Sequence, residues 1–354
     1  MEIIVLYGGK SAEHDISVLT AASIIQHIQY GTHNVTPVYI DINGHWFAGP
    51  NMSEKPAADI NLRFNQAENG QAVVPTDILS EDKDQVVFPA LHGPNGEDGT
   101  IQGLFESLNV AYVGAGVLAS AAGMDKIVSK HLFNQVGLPQ VPFATLNAYE
   151  WEKDADAAVA KVTESLSYPV FVKPANMGSS VGISQATDDA ELKAALALAF
   201  RFDRRVLVEA SVENPREVEL AVLGNEEVFV SVPGELGKGQ GFYDYDEKYI
   251  NNSTEMIIPA KIDDETVAKL QAYAKEAYLV LDGSGLSRAD FFLTQEGDIY
   301  INEVNTLPGF TQFSMYPSLW EASGKGFDDL IEELIQLALN RYNKKQSIQK
   351  AFEL

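Results

Sequence analysis

Short apolar runs at residues 3–7, 36–40, 85–91 and 110–113 have the length and make-up of buried strands. After the first run, Val18, Ala22, Ile25 and Gln29 recur on one side of a helix predicted over 17–29, with Gly31 beyond it. Strand, glycine-rich loop and helix in that order begin an open α/β unit. Residues 44–84 are polar and irregular and carry little functional signal. A second helical pattern, over 117–136, has Val117, Ala121, Val128 and Leu132 among its apolar positions and stops at Gly137-Leu138-Pro139. Then come a strand at 168–174, a helix at 189–200, a strand at 205–209 and a hairpin of 217–223 with 227–232. Residues 233–254 lack periodicity and are rich in glycine, then in aromatics. A segment that long and that aromatic is predicted to be a lid. A helix at 264–281 turns Val267, Leu270, Ala274, Ala277, Tyr278 and Leu281 to the core, one at 327–339 follows, and 340–354 is a peripheral polar tail.

The most informative alternation runs from Ser287 to Asn305, as two strands around a turn at 295–298. Side chains two apart on a strand share a face. Arg288 and Asp290 therefore point one way, and Ile301, Glu303 and Asn305 line one face of the second strand. Pairing would gather two carboxylates, an amide oxygen and a guanidinium. Hard oxygen donors without His or Cys suit Mg²⁺. A pair of acids alone would serve a surface salt bridge equally well. Asn305 and the turn at 306–309 shift the balance toward a metal.

Three loops add candidate chemistry. The loop at 8–15 is not a GxGxxG, and Glu13 in it would repel phosphate, so it better suits an ammonium group. An acidic residue near a helix start is also common for its own sake. His92 opens a glycine-rich loop at a strand's C-terminal end, where open α/β sheets place their sites, either as a site residue or as a cap. Lys173 precedes a Gly/Ser loop at 175–182 whose N–H groups and hydroxyls can cradle phosphate, although the Walker A order is absent. Lys126, in Met124-Asp125-Lys126, stands where a solvated surface charge is usual.

Composition limits the options. At 354 residues the chain holds two or three domains, and 45% hydrophobic with 21% charged residues is ordinary for a soluble globular protein. The absence of cysteine excludes disulfides and Cys-bound metals and is compatible with a cytoplasmic location. A net charge of −25 argues against nucleic acid and anionic membranes as partners, while a few pocket lysines could still hold an anion. No basic-then-apolar leader and no membrane-length apolar run occurs.

The segments GGKSAEHDIS, LHGPNGEDGT, MDK, VKPANMGSSVG, FYDYDEKY, RAD and NEVNTLPGFT together resemble the D-alanine–D-alanine ligases of the ATP-grasp superfamily. They occur in family order from Ile3 to about residue 340. The resemblance implies an α/β, three-domain ATP-grasp fold: an N-terminal open parallel-sheet domain at 1–115, a central domain at 116–210, and a C-terminal domain at 211–354 with the metal site and the lid. The last two would sandwich ATP. The implied reaction passes the γ-phosphate of ATP to one D-alanine and lets the amine of a second attack the D-alanyl phosphate, giving D-alanyl-D-alanine for peptidoglycan.

On this resemblance Lys126 and Lys173 contact the phosphates, and Lys248 reaches the γ-phosphate from the lid. Ser179 and Ser180 belong to the loop that closes over the phosphates. Glu209, Ala210 and Val212 line the adenine, largely through backbone, and Glu217 takes the ribose. Asp290, Glu303 and Asn305 would bind two Mg²⁺, with Mn²⁺ as a substitute; K⁺ activation, found in some relatives, stays open. Glu13 would hold the first D-alanine's ammonium and join Ser179 and Tyr249 in a hydrogen-bonded latch. Arg288 would leave the acids and form an oxyanion site with the Gly309 N–H. Ser314 and the Met315 backbone would hold the second substrate's carboxylate, with His92 near the reacting groups. Tyr249 rather than Phe implies the dipeptide over a D-alanyl–D-lactate product. Ala210 stands where some relatives have lysine, and Asn176-Met177 where some have a charged pair. Relatives are commonly dimers, so a homodimer is expected. The competing readings are another ATP-grasp carboxylate–amine ligase, a silent nucleotide-binding module, and a periplasmic-type binding protein.

Overall fold

The computed structural model describes residues 1–65, 69–237 and 255–349. Among them three sheets follow one another along the chain. The first contains β1 (Glu2–Gly8), β2 (Asn34–Ile40), β3 (Trp46–Ala48), β4 (Gln71–Val73), β5 (Gln85–Pro89) and β6 (Ala111–Tyr112), in the order β4-β3-β2-β1-β5-β6. β1, β2, β5 and β6 run parallel, as the apolar runs predict, and β3 and β4 add an antiparallel edge inside the stretch read as irregular. Helix α1 (His14–His27) starts earlier than predicted, so Glu13 occupies its N-cap position rather than the middle of a loop. Its fully buried apolar side is Ala21, Ile24 and Ile25, with Val18 and Ala22 only partly covered. Gly8 ends β1 in the left-handed region at φ 91°, and a Cβ there would lie 2.1 Å from the Ile40 carbonyl oxygen. α2 (Pro75–Ile78) and α3 (Thr100–Ser107) complete this part, the latter without a counterpart in the sequence reading.

The single helix predicted over 117–136 is two helices, α4 (Val117–Met124) and α5 (Lys126–Gln135). Asp125 breaks it: its backbone is extended, and its carboxylate accepts from the N–H groups of Ile127 and Val128 as the N-cap of α5. The second sheet is antiparallel, in the order β7 (Phe143–Asn147), β10 (Arg205–Ala210), β8 (Val170–Pro174), β9 (Ser184–Ala186). α6 (Ala148–Lys153) and α7 (Ala155–Thr163) follow β7, and α8 (Asp189–Ala199) precedes β10.

The third sheet runs β14 (Met256–Ile257), β13 (Gly234–Leu236), β11 (Arg216–Gly224), β15 (Gly285–Leu293), β16 (Ile299–Asn305), and β12 (Val228–Val230) forms the predicted hairpin with β11. α9 (Asp264–Val280) covers it through Leu270, Ala274, Ala277 and Tyr278. Residues 234–236 of the predicted lid are a strand of this sheet, and 238–254, with Lys248 and Tyr249, lie outside the described residues. α10 (Met315–Ala322) and α11 (Phe327–Gln346) end the fold. The peripheral tail is corrected in part: α11 continues through Arg341, which is half-buried and donates to the carbonyls of Gly114 and Tyr112.

Packing ties the parts together unequally. One core joins the first sheet to α10, α11 and the end of β11, through Ile24, Phe88, Tyr316, Trp320, Leu330 and Leu334. α4 and α5, which the sequence division groups with the second sheet, pack on the third, where Ala122 and Phe133 enter the core. The second sheet has a core of its own, between its strands and α7 and α8. A small patch of Ile127, Ala175 and Leu207 links it to α5.

Candidate active site

The strands β15 and β16 pair as predicted, with Arg288 opposite Asn305 and Asp290 opposite Glu303. One prediction fails. The register shifts between Asp290 and Phe291, so Ile301 lies opposite Phe291, and both side chains are buried in the core. A β-bulge re-aims a strand in this way, and strict alternation cannot anticipate it. Asn302 joins the site instead, accepting from Lys173 Nζ at 3.2 Å.

Arg288 has not left the acids. Its Nε and Nη2 donate to the two oxygens of Asp290, each at 2.7 Å, and Nε also lies 2.9 Å from Glu219 Oε2. Burial pulls the guanidinium pKa down, but Asp290 and Glu219 more than reverse this and hold it well above its usual value. Asn305 donates from Nδ2 to Asp290 at 2.9 Å. Lys126 sits 2.9 Å from Glu303 Oε2 and donates to the Met177 carbonyl at 3.0 Å. It occupies the first position of α5, where the helix dipole opposes a cation, so these two acceptors decide its placement. No three His, Asp or Glu side chains among the described residues form a metal cluster. The available set is Asp290, Glu303 and the Asn305 amide, which fits a hard divalent cation.

Lys173 leads to a residue whose side chain sequence reading overlooked. The family resemblance has Glu209, on β10, line the adenine largely through its backbone. Its carboxylate is instead buried between Lys173 and Lys130, at 2.5 Å from each ammonium. Burial alone would raise the Glu209 pKa, but the two lysines win and hold it at about 2. Burial pulls Lys130 below its usual range, against the attraction of Glu209. Lys130 was legible in principle, since it follows Lys126 by four residues and shares its helix face.

The Gly/Ser loop crosses to the first sheet. Ser179 and Ser180 adopt left-handed backbone, at φ 50° and 58°, and Ser179 Oγ donates to Glu13 Oε1. On the other side of Glu13, Gly93 has left-handed backbone at φ 73°, which favours glycine, and a Cβ there would lie 2.2 Å from Oε2 and displace the carboxylate. Next to it, His92 is buried with Nε2 2.9 Å from Thr20 Oγ1 and Nδ1 3.4 Å from Glu97 Oε1. Burial lowers the His92 pKa, yet Glu97 and Glu13 shift it upward overall; burial and the charge of Glu13 raise that of Glu97. Glu97 is a site residue that sequence reasoning missed, though it lies in the quoted loop.

At the far end of β16, Ser314 Oγ accepts from the Thr311 N–H at 3.0 Å, and a Cβ at Gly309 would lie 3.2 Å from it. Ser314 is the N-cap of α10 and buried Met315 opens it, so the start of a helix lies there. Ala210, whose N–H donates to the Pro142 carbonyl at 2.9 Å, and Val212 lie where the chain passes from the second sheet to the third. Glu217 stands exposed on β11.

The chain is similar to known proteins along its whole length. The family model for the D-ala D-ala ligase N-terminus matches residues 2–115, and that for the C-terminus matches 132–336. A D-alanine–D-alanine ligase of Enterococcus faecalis is 53% identical over 350 residues, covering 97% of this chain and all of that one. One of Enterococcus hirae is 51% identical, with both chains covered in full. Among solved structures, the VanG D-Ala:D-Ser ligase from Enterococcus faecalis has a TM-score of 0.85 at 36% identity, covering 95% of this chain and 99% of that one. The D-alanine–D-alanine ligase from Coxiella burnetii has a TM-score of 0.78 at 31% identity, covering 98% and 96%. With both family models matched in order and relatives aligned along its whole length, this chain belongs to the D-alanine–D-alanine ligase family and has the ATP-grasp fold.

Proposed function

We propose that the protein joins two D-alanines into D-alanyl-D-alanine, a peptidoglycan precursor, with release of ADP and phosphate. The observation that carries this reading is the contact of Ser179 with Glu13, which brings a phosphate-type loop onto a carboxylate suited to an ammonium group. One substrate thereby has its amine held at Glu13 and its carboxylate directed toward the nucleotide.

Lys126 and Lys173 bind the nucleotide phosphates, and Lys248 reaches the γ-phosphate. Ser179 and Ser180 cover them. Glu209, Ala210 and Val212 flank the adenine and Glu217 meets the ribose. Asp290, Glu303 and Asn305 hold Mg²⁺, or Mn²⁺ in its place, which supplies charge neutralisation as carboxylate and phosphate come together. The first substrate's carboxylate takes the γ-phosphoryl group and ADP leaves. The second substrate's neutral amine attacks the resulting acyl phosphate, and phosphate departs from the tetrahedral intermediate. Arg288 and the Gly309 N–H stabilise the oxyanion, Ser314 and the Met315 N–H hold the acceptor carboxylate, and His92 steers the reacting groups. A free α-amino group is mostly protonated at pH 7, so the site must favour its neutral form.

Tyr249 completes the latch with Glu13 and Ser179 and favours an amine acceptor. We place the enzyme in the cytoplasm, where its nucleotide is, as a homodimer. Among the described residues no helix is long and apolar enough to cross a membrane. The test is ADP release from purified protein with ATP, Mg²⁺ and D-alanine, against D-lactate and D-serine as acceptors across pH. D-serine is included because the VanG structure is that of a D-Ala:D-Ser ligase. D-alanine should be preferred at neutral pH, and Tyr249→Phe should gain D-lactate activity. No ADP, or a preference for D-lactate at neutral pH, would overturn the assignment.

A further inference from the structure

Lys130 has no part in the reaction just described, yet it is among the largest fully buried side chains of the molecule. We propose that Lys130 is a positioning residue: a fixed counter-cation that keeps the Glu209 carboxylate neutralised so that Lys173 is free to leave it for the nucleotide phosphates. The inference rests on the ATP-dependent reading above.

Geometry distinguishes the two lysines. Each takes one oxygen of Glu209 at 2.5 Å. The Lys130 side chain is 1% exposed and the Lys173 side chain 11%. The Lys130 ammonium is also boxed in by the Phe143 ring, 5.6 Å from its centroid. It rises from α5, whose Phe133 enters the core of the third sheet. Lys173 sits at the end of β8 beside the Gly/Ser loop and has a second acceptor in Asn302. Lys173 is therefore the partner that can turn away, and Lys130 the one that stays.

The energetic consequence follows from burial. A carboxylate with no water around it cannot lose its only counter-ion without a large penalty. With Lys130 present, departure of Lys173 leaves a buried pair of opposite charges. Without Lys130, every excursion of Lys173 toward phosphate strands Glu209, so Lys173 stays on Glu209 and nucleotide binding weakens.

The test measures ATP binding by calorimetry, separately from ADP release with D-alanine, on folded variants of matched melting temperature. Lys130→Met should raise the ATP KM and Kd on the order of tenfold to a hundredfold, with the D-alanine KM unchanged. Lys130→Arg should retain tight binding. The double variant Lys130→Met/Glu209→Gln should recover most of the loss, because no carboxylate then retains Lys173. A purely structural role would move both substrates' KM together and would not be relieved by the second substitution; either result overturns the proposal. Should Lys130→Met fail to fold, Lys130→Gln decides in its place: it must weaken ATP binding about tenfold or more, and an unchanged Kd sinks the idea. Wild-type protein that binds ATP but releases no ADP with D-alanine would overturn the ligase reading alone. Wild-type protein that binds no ATP would overturn both.

Discussion

Two assemblies of carboxylates and cations meet at Asn302, and they are unbalanced in opposite directions. Around Glu209 there are two ammonium groups for one carboxylate. Among the described residues, the three carboxylates of Asp290, Glu303 and Glu219 face Lys126 and Arg288. The first is dry, with the Glu209 side chain 3% exposed; the second is wetter, with Glu303 at 27%. A surplus of positive charge suits a polyanion and a surplus of negative charge suits a cation. The two sets therefore fit the two halves of the metal–nucleotide complex proposed above.

This contrast is open to attack, and the greatest effect should come from the acidic set. Glu303→Gln should lower kcat roughly a thousandfold or more, in part recoverable at high Mg²⁺, which a metal titration of the rate would reveal. Next is Arg288→Met, which removes the guanidinium from Asp290 and Glu219. It should cost about 3–5 kcal/mol of stability and on the order of a hundredfold in kcat, read from denaturant unfolding and steady-state rates.

The dry set is tested by acid. Glu209 has a folded-state pKa of about 2 against an ordinary 4.5. Between those values the unfolded chain binds the additional proton, so stability climbs with pH through that window and the contribution is fully present above it. It is lost as pH falls toward 2 and should amount to about 3 kcal/mol. Glu209→Gln should flatten that part of the acid-unfolding curve, and an unchanged curve would refute the strong pairing.

Smaller still is the latch between the sheets. Ser179→Ala removes a hydrogen bond to a carboxylate and should raise the D-alanine KM by roughly tenfold. The smallest effect belongs to an exposed pair, Lys193 with Asp156 at 2.7 Å on the surface of α8 and α7. Lys193→Ala should shift the melting temperature by less than about 2 °C, which sets the scale for the buried pairs.

Much of this was legible before any coordinates. The pairing of Asp290 with Glu303, the Gly/Ser loop after β8 and the parallel N-terminal strands follow from alternation, glycine placement and apolar runs, which are local. What escaped was not local. The bulge that buries Ile301 and turns Asn302 to the site is a register event between two strands. The break at Asp125 was hidden because apolar periodicity runs across it, although an aspartate before a helical run is a cap signal. The coupling of Lys130 to Glu209 depends on α5 meeting β10, which neither segment states alone. Arg341 looked like part of a polar tail because its acceptors, the Tyr112 and Gly114 carbonyls, are far away in sequence.

The separate core of the second sheet bears on temperature. The sheet carries the Ser179 loop, and its apolar contact with α5 is the small patch of Ile127, Ala175 and Leu207. Lifting that loop from Glu13 would therefore break polar contacts and wet little hydrocarbon. Heat capacity follows newly exposed apolar area. Opening should accordingly carry a heat-capacity change close to zero and an enthalpy that stays nearly constant with temperature, so its van 't Hoff plot should be straight where that of global unfolding is curved.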